Sequence, residues 1–260
     1  EEYPEIKELW EVMSSKSKKK GYKEIYEDKE VKKLKKEYAR FNNLFTTALI
    51  QKELIDLRLF GSAMAVEGVT RTFTGPIQIP WGHSMHPVEL VKSNTITSLM
   101  NEDSSTFGKK YKIHYGLIVH SGTINKFSAQ LTGMTEEDKA LFRSALVQGM
   151  LINQTDSKQG QTPLFYIEVQ YAPSFDGFLG DLRRFIKVNY DANKPIRSLS
   201  DLTIDDQELV TAIQLMKEKG YVEKVTAWYH PILLKENMFN IEVDQVVDLW
   251  APVQLAEMNK

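Results

Sequence analysis

The chain has 260 residues and a mass of 29.9 kDa, enough for one large domain or two small ones, and 42% apolar with 26% charged residues excludes a disordered chain. It has no cysteine, which excludes disulfides, zinc fingers, iron–sulfur clusters and a cysteine nucleophile. Net charge is −2, so bulk charge does not announce a nucleic-acid binder, and no apolar run reaches the ~18 residues of a membrane span.

The absence of cysteine fits a cytoplasmic location. The sequence opens Glu1-Glu2-Tyr3 without a starting Met or a signal peptide, so it is expected to begin inside a longer gene product. Charge is unevenly spread. Residues 14–36 hold ten lysines against four acids, a net of +6, whereas residues 201–260 hold five lysines against eleven acids, a net of −6. A basic segment attracts phosphate, and opposite ends can help identical subunits stack head to tail. A solvated helix or loop is the plainer reading of Lys16–Lys36.

Residues 3–13 predict a short helix, with Ile6, Leu9 and Val12/Met13 on one side. Ser14–Gly21 reads as a lysine-rich break. Helical patterning resumes at Tyr22–Tyr38 and reaches Arg58, ending at Gly61. Thr70–Ile79 is rich in β-branched residues and is broken by Gly75-Pro76. Thr95–Phe107 reads as a hairpin around the polar turn 101–105. Lys112–His120 predicts a strand, with Ile113, Tyr115, Leu117 and Val119 on one face.

The clearest helix starts after Thr135, the expected N-cap, with Asp138 three residues on as a capping-box partner. Leu141, Phe142, Ala145, Leu146 and Met150 form its apolar stripe. Leu164–Tyr171 is the clearest strand. A second capped helix is expected from Thr203, with Asp206 in the box position, to Gly220. Tyr221–Tyr229 is a further strand, and Val243–Leu249 fits helix or strand. The elements sum to a mixed α+β fold.

No Walker loop, dinucleotide fingerprint, G-x-S-x-G elbow or H-E-x-x-H occurs. His83 and His86 form an H-x-x-H that does not aim both rings at one point on a strand or loop, so no metal site is expected. His114 and His120 lie about 20 Å apart on one strand, too far to share a metal. Asp56 and Arg58 are placed to pair. Phe107-Gly108-Lys109-Lys110-Tyr111-Lys112 sets lysines beside aromatics, a combination that suits RNA as well as a solvated strand end. The usual RRM aromatic signature is absent.

Four segments, in order, carry a resemblance. They are Ile55–Gly61 (IDLRLFG), Gly75–Ser84 (GPIQIPWGHS), Thr106–Ile118 (TFGKKYKIHYGLI) and Thr132–Asp138 (TGMTEED). Together they resemble the repeated backbone subunit of type I CRISPR surveillance complexes (Cascade), in the RRM-like RAMP superfamily, most closely the type I-B branch. The likeness runs from about residue 50 to 190. It implies a single RRM-like (ferredoxin-like) domain over residues 1–260, with an antiparallel palm sheet, a helical web insertion at about 1–50 and a β-hairpin thumb at about 87–112. The family's first palm strand is not recognised in this sequence, so the sequence given is expected either to lack that segment or to have diverged there.

The resemblance also implies a function. Copies polymerise along the spacer of the CRISPR RNA (crRNA), grip its phosphates and displace bases at intervals, and the guide pairs with target DNA. The implied partners are CRISPR RNA, target DNA through guide pairing, further copies of the chain and other Cascade subunits; no cofactor, metal, catalytic residue or membrane is implied. Implied RNA contacts are Arg58, Phe60, Gly61, Met64, Gln78, Trp81, His83, Ser84, Lys109 and Lys110. Small residues near Gly61 permit close backbone approach to RNA. Met64 fits a wedge beside a displaced base or a buried core position, and Trp81 fits a stacking platform or a core anchor. Leu99, Met100 and Phe107 are the thumb's candidates for insertion between bases.

Two other readings compete. One is an RRM-like endoribonuclease that processes CRISPR RNA, with His83, His86 or His114 as the suspects. The other is a module that polymerises without nucleic acid.

Overall fold

A computed structural model describes residues 4–17, 24, 27–37, 47–48, 51–66, 69–92, 95–101, 104–109, 111–155, 157–235 and 239–251. The chain divides into two compact units, residues 1–78 with 122–140, and residues 79–121 with 141–260.

In the first unit, α1 (Pro4–Ser17) packs on α2 (Lys29–Glu37). The a/d-like spacing of Leu9 and Met13 buries both against Val31, with Trp10, Val12 and Leu34 around them. The Lys16 ammonium donates to Asp28 Oδ1 at 2.6 Å and to Glu30 Oε2 at 2.7 Å. Part of the basic excess of this segment is therefore answered within the chain. The expected break does not begin at Ser14: the helix runs through Ser17, and Ser15 Oγ donates back to the Val12 carbonyl. Lys18, Lys19 and Lys20 lie outside the described residues.

The helical run to Arg58 is interrupted at Leu54 (φ −111°, ψ 85°), and α3 (Ile55–Phe60) is a separate short helix. It stops at Gly61, whose φ of +87° suits only glycine without strain. Antiparallel β1 (Gly61–Val66) and β2 (Val69–Thr74) follow, in register from Gly61 opposite Thr74 to Val66 opposite Val69. The chain crosses itself closely at the foot of this hairpin. A Cβ on Gly75 would lie 2.1 Å from the Phe60 carbonyl carbon, and one on Gly61 would lie 2.3 Å from the Phe73 oxygen. After Gly75-Pro76, β3 (Ile77–Gln78) pairs with the later strand β8 (Thr123–Ile124).

The second unit contains one long antiparallel ribbon. Its root is β4 (His83–Ser84) on β7 (Ile118–Val119), with the Met85 N–H donating to the Leu117 carbonyl at 2.9 Å. Leu90 then bridges Ile113, and the hairpin β5 (Thr95–Asn101) and β6 (Ser104–Lys109) carries the pairing to its tip. The hairpin thus forms where the polar turn places it. The expected strand over Lys112–His120 does not: only Ile118–Val119 pair as strand residues, and Ile113 makes an isolated bridge. Burial alternates only at the end of this stretch, with Leu117 and Val119 inside and Ile118 and His120 outside; Ile113, expected on the core face, is exposed.

In the first unit, α4 (Lys126–Thr132) is capped by Asn125, whose Oδ1 accepts the N–H groups of Phe127 and Ser128. Helix α5 (Glu136–Ile152) begins as its sequence predicts. Asp138 N–H donates to Thr135 Oγ1 at 3.1 Å and Thr135 N–H donates to Asp138 Oδ2 at 3.0 Å. Its stripe is shifted: Phe142 and Val147 are buried, while Ala145 and Met150 are exposed.

The largest sheet among the described residues has three strands in the order β13 (Gln245–Val246), β12 (Val222–Tyr229), β9 (Phe165–Tyr171). β9 and β12 are antiparallel, and β13 joins β12 in parallel. Ile167, Val169 and Tyr171 face a core of Leu117, Ile186, Leu202, Ile204, Leu209, Ile213 and Val225. The helix expected from Thr203 starts later. Residues Leu202–Asp205 form β11, which pairs with β10 (Lys187–Tyr190), and α6 spans Gln207–Glu218. Pairing with a strand 15 residues upstream overrides the local cap signal. Asp206 is fully buried and accepts the Asn240 main-chain N–H and Nδ2 at 2.7 and 2.8 Å. A short helix, α7 (Pro231–Lys235), follows β12. The architecture is mixed α+β, and among the described residues no helix is long and apolar enough to cross a membrane.

Candidate nucleic-acid interface

The first unit holds Arg58, Phe60, Gly61, Met64 and Gln78. Arg58 does not pair with Asp56. Its Nε and Nη2 form a fork with Asp138 Oδ2 and Oδ1 at 2.8 and 2.7 Å, and Nη1 donates to the carbonyls of Gln51 and Lys52. The two side chains are only 12% and 6% exposed. Burial pushes the Asp138 carboxyl up, but the hydrogen bonds from Arg58 and Thr135 outweigh it and hold the carboxyl below its ordinary range. The same carboxylate therefore caps α5 and fixes α3, whose Arg58 carbonyl accepts from Thr132 Oγ1. Every donor nitrogen of this guanidinium is turned inward.

Phe60 is 54% exposed at the end of α3. The close approach that Gly61 allows is to the chain's own Phe73 carbonyl. Met64 stands opposite Arg71 in the β1–β2 register. Gln78 is exposed and its Nε2 donates to the Gly75 carbonyl at 3.0 Å, steadying the bend after β2.

The second unit holds the remaining candidates. Trp81 is 87% exposed, the most exposed large apolar side chain among the described residues. It is no core anchor, whereas Trp228 is buried. The main chain beneath it is tied down. The Trp81 carbonyl accepts from Arg183 Nη1 at 3.0 Å, and a Cβ on Gly82 would lie 2.6 Å from the His120 ring, which fills that space. His83 and Ser84 are exposed in β4, and Ser84 Oγ donates to the His86 carbonyl at 2.7 Å.

His86 is structural. Its Nε2 accepts the Leu117 N–H at 3.1 Å, so Nδ1 carries the hydrogen and donates to the Pro87 carbonyl at 2.7 Å. Its ring stacks on Tyr115 with centroids 5.7 Å apart. Both nitrogens are used by the main chain, and the ring ties the ribbon's two strands together.

Leu99 stands opposite Ser105 and Phe107 opposite Thr97, with an irregularity between Leu99 and Asn101 that leaves Met100 without a register partner. Lys109 closes the hairpin opposite Thr95, and Lys110 lies outside the described residues. Just beyond, Tyr111 is 70% exposed and Lys112 is exposed. The sequence flagged that lysine–aromatic run without singling out Tyr111. Sequence reading also missed Arg183, because its link to Trp81 spans 102 residues.

A Haloferax volcanii protein named CRISPR-associated protein Cas7 is 24% identical to this chain over 190 residues, covering 63% of the chain and 55% of that protein. The chain thus spans about half the length of the curated relative it matches. The family model described as CRISPR-associated protein Cas7 matches residues 5–207, a stretch that takes in α1, the ribbon, Trp81, α5 and Arg183. By that match over most of its length, the chain belongs to the Cas7 family of CRISPR-associated proteins.

Proposed function

We propose that this chain is a non-catalytic backbone piece of a type I CRISPR surveillance complex, of the I-B branch, that lines up along CRISPR RNA with other copies of itself and with other Cascade subunits. In this reading the ribbon over about 87–112 is the thumb, the helices within residues 1–50 are the web, and the β9–β12–β13 sheet with α6 belongs to an RRM-like palm. The observation that carries it is Trp81, an indole left 87% exposed on a tethered main chain at the foot of a two-stranded ribbon, in a member of the Cas7 family.

Exposing an indole forgoes about 1.5–3 kcal/mol of burial, which is offset when a base covers it. Lys109, opposite Thr95 farther along the ribbon, together with Lys110 and Lys112 supplies phosphate charge, and neither that charge nor stacking prefers a base. That suits a protein that must accept any guide, with sequence read by pairing of the guide to target DNA. Leu99, Met100 and Phe107 remain the wedge candidates, with Phe60, Met64, Gln78, His83 and Ser84 as further contacts. Arg58 serves from behind, as the residue that fixes α3.

The ribonuclease reading requires an unengaged acid–base pair, and His86 has both nitrogens committed to main chain. Binding assays with several unrelated single-stranded RNAs test the proposal. The chain should bind all of them, Trp81→Ala should weaken each about 5- to 100-fold, and the double change Lys109→Glu, Lys110→Glu should weaken each by a similar factor. Loss confined to one sequence would mean direct base readout. Cleavage of repeat RNA that disappears in His83→Ala would replace the scaffold with an enzyme.

A further inference from the structure

We infer that the Asp181–Arg183 pair is a positioning device that holds the main chain beneath Trp81, so that the indole is presented to single-stranded RNA as a fixed stacking platform. The inference rests on the RNA-binding reading of this loop.

Arg183 reaches both strands at the ribbon's root. Its Nη1 donates to the Trp81 carbonyl at 3.0 Å and approaches the Val119 carbonyl at 3.5 Å, where Val119 is the register partner of His83. Asp181 holds the guanidinium from the other side. Nε lies 2.9 and 3.0 Å from the two carboxylate oxygens, and Nη2 donates to Oδ2 at 2.6 Å. Asp181 is fixed in turn, because its Oδ1 accepts the Arg183 N–H and caps the short 3₁₀ turn Leu182–Phe185.

This geometry argues against a direct phosphate contact. All three guanidinium nitrogens have protein partners, and the side chain is 14% exposed. The effect on RNA must pass through what Arg183 holds. Above it the Trp81 ring is open to solvent, and Gly82 admits the His120 ring against the next stretch of main chain. A platform fixed before binding spares the ordering that a mobile loop must undergo on binding. Lysine cannot substitute: an ammonium is a point charge without the planar fork that grips a carboxylate and a carbonyl together. The hydrogen bonds from Arg183 hold the Asp181 carboxyl at about 2, so the pair stays ionised throughout the neutral range.

The test is a double-mutant cycle on the full chain with a labelled, unstructured 20-nucleotide RNA as the probe. Trp81→Ala should weaken binding about 5- to 100-fold. Arg183→Lys should weaken it about 2- to 10-fold despite keeping its charge. The double variant should bind within about twofold of Trp81→Ala alone. Wild-type affinity in Arg183→Lys, or losses that multiply in the double variant, would overturn the inference while leaving RNA binding by Trp81 standing. Wild-type affinity in Trp81→Ala would instead overturn the RNA reading of the loop, and the inference with it. The indole N–H resonances of the RNA-free protein give a readout independent of binding. In Arg183→Lys and in Asp181→Asn the Trp81 signal should move and that of Trp228 should stay. An unmoved Trp81 signal, or loss of both, counts against the device.

Discussion

Arg58 and Asp138 are 80 residues apart in sequence and meet in a bidentate pair that water barely reaches. Breaking one side of such a pair strands the other charge in a poor solvent, at about 3–5 kcal/mol. Arg58→Ala is therefore expected to lower the unfolding free energy obtained from urea titration by that amount. Acid should reveal the same contact. The folded Asp138 carboxyl sits below its ordinary value of 3.8, so its stabilisation is complete above that value and fades as pH falls through the lower folded one. Wild-type stability should therefore drop more steeply below about pH 4 than that of Arg58→Ala. An Arg58→Ala protein with native stability and lost RNA binding would return Arg58 to the RNA surface. The short sequence interval offered Asp56 as the obvious partner, but on α3 residues two apart point in different directions.

Elements were legible where their signals are local. The start of α5 was readable because Thr135 and Asp138 satisfy each other's main chain within one turn, and β9 because period-two alternation marks a face. Three features were not legible, because each depends on a partner distant in sequence: β11 needs β10 to exist, the 112–117 segment meets the facing strand at the Leu90–Ile113 bridge and through Leu117 at Met85 and His86, and the Trp81 loop is tied down by Arg183. Glycines show the same division. Gly149 lies inside α5 with nothing within 4 Å of its missing Cβ, whereas the Cβ of an alanine at 75 would overlap the Phe60 main chain. Gly149→Ala should raise stability by about 0.4–1 kcal/mol, and Gly75→Ala should lower it by about 1–3 kcal/mol or more. Thermal melts of the two variants check this. A native melt for Gly75→Ala would mean that the turn after β2 is not where α3 and the β1–β2 hairpin are fastened together.

At the scale of the whole molecule, a chain of net charge −2 has no long-range pull on RNA. If the chain binds RNA as proposed, the affinity comes from local lysines and from stacking, with few such contacts per copy. Weak contacts become strong when neighbours share one strand, because the second copy arrives at a site already concentrated beside the first. Mass measured by light scattering should therefore rise in steps with RNA length, and ribonuclease should return it to that of the RNA-free chain. The salt dependence has a definite form. Each phosphate neutralised on a single strand contributes about −0.7 to the log–log slope, so the slope for a whole RNA should grow with its length while the slope per copy stays constant. Opposite charge on residues 14–36 and 201–260 offers another route to association, one that needs no RNA. The two routes separate cleanly at low salt. Association through the ends gives large particles that survive ribonuclease and dissolve as salt is added, and that result would make the chain a polymerising module in its own right rather than a scaffold built on RNA.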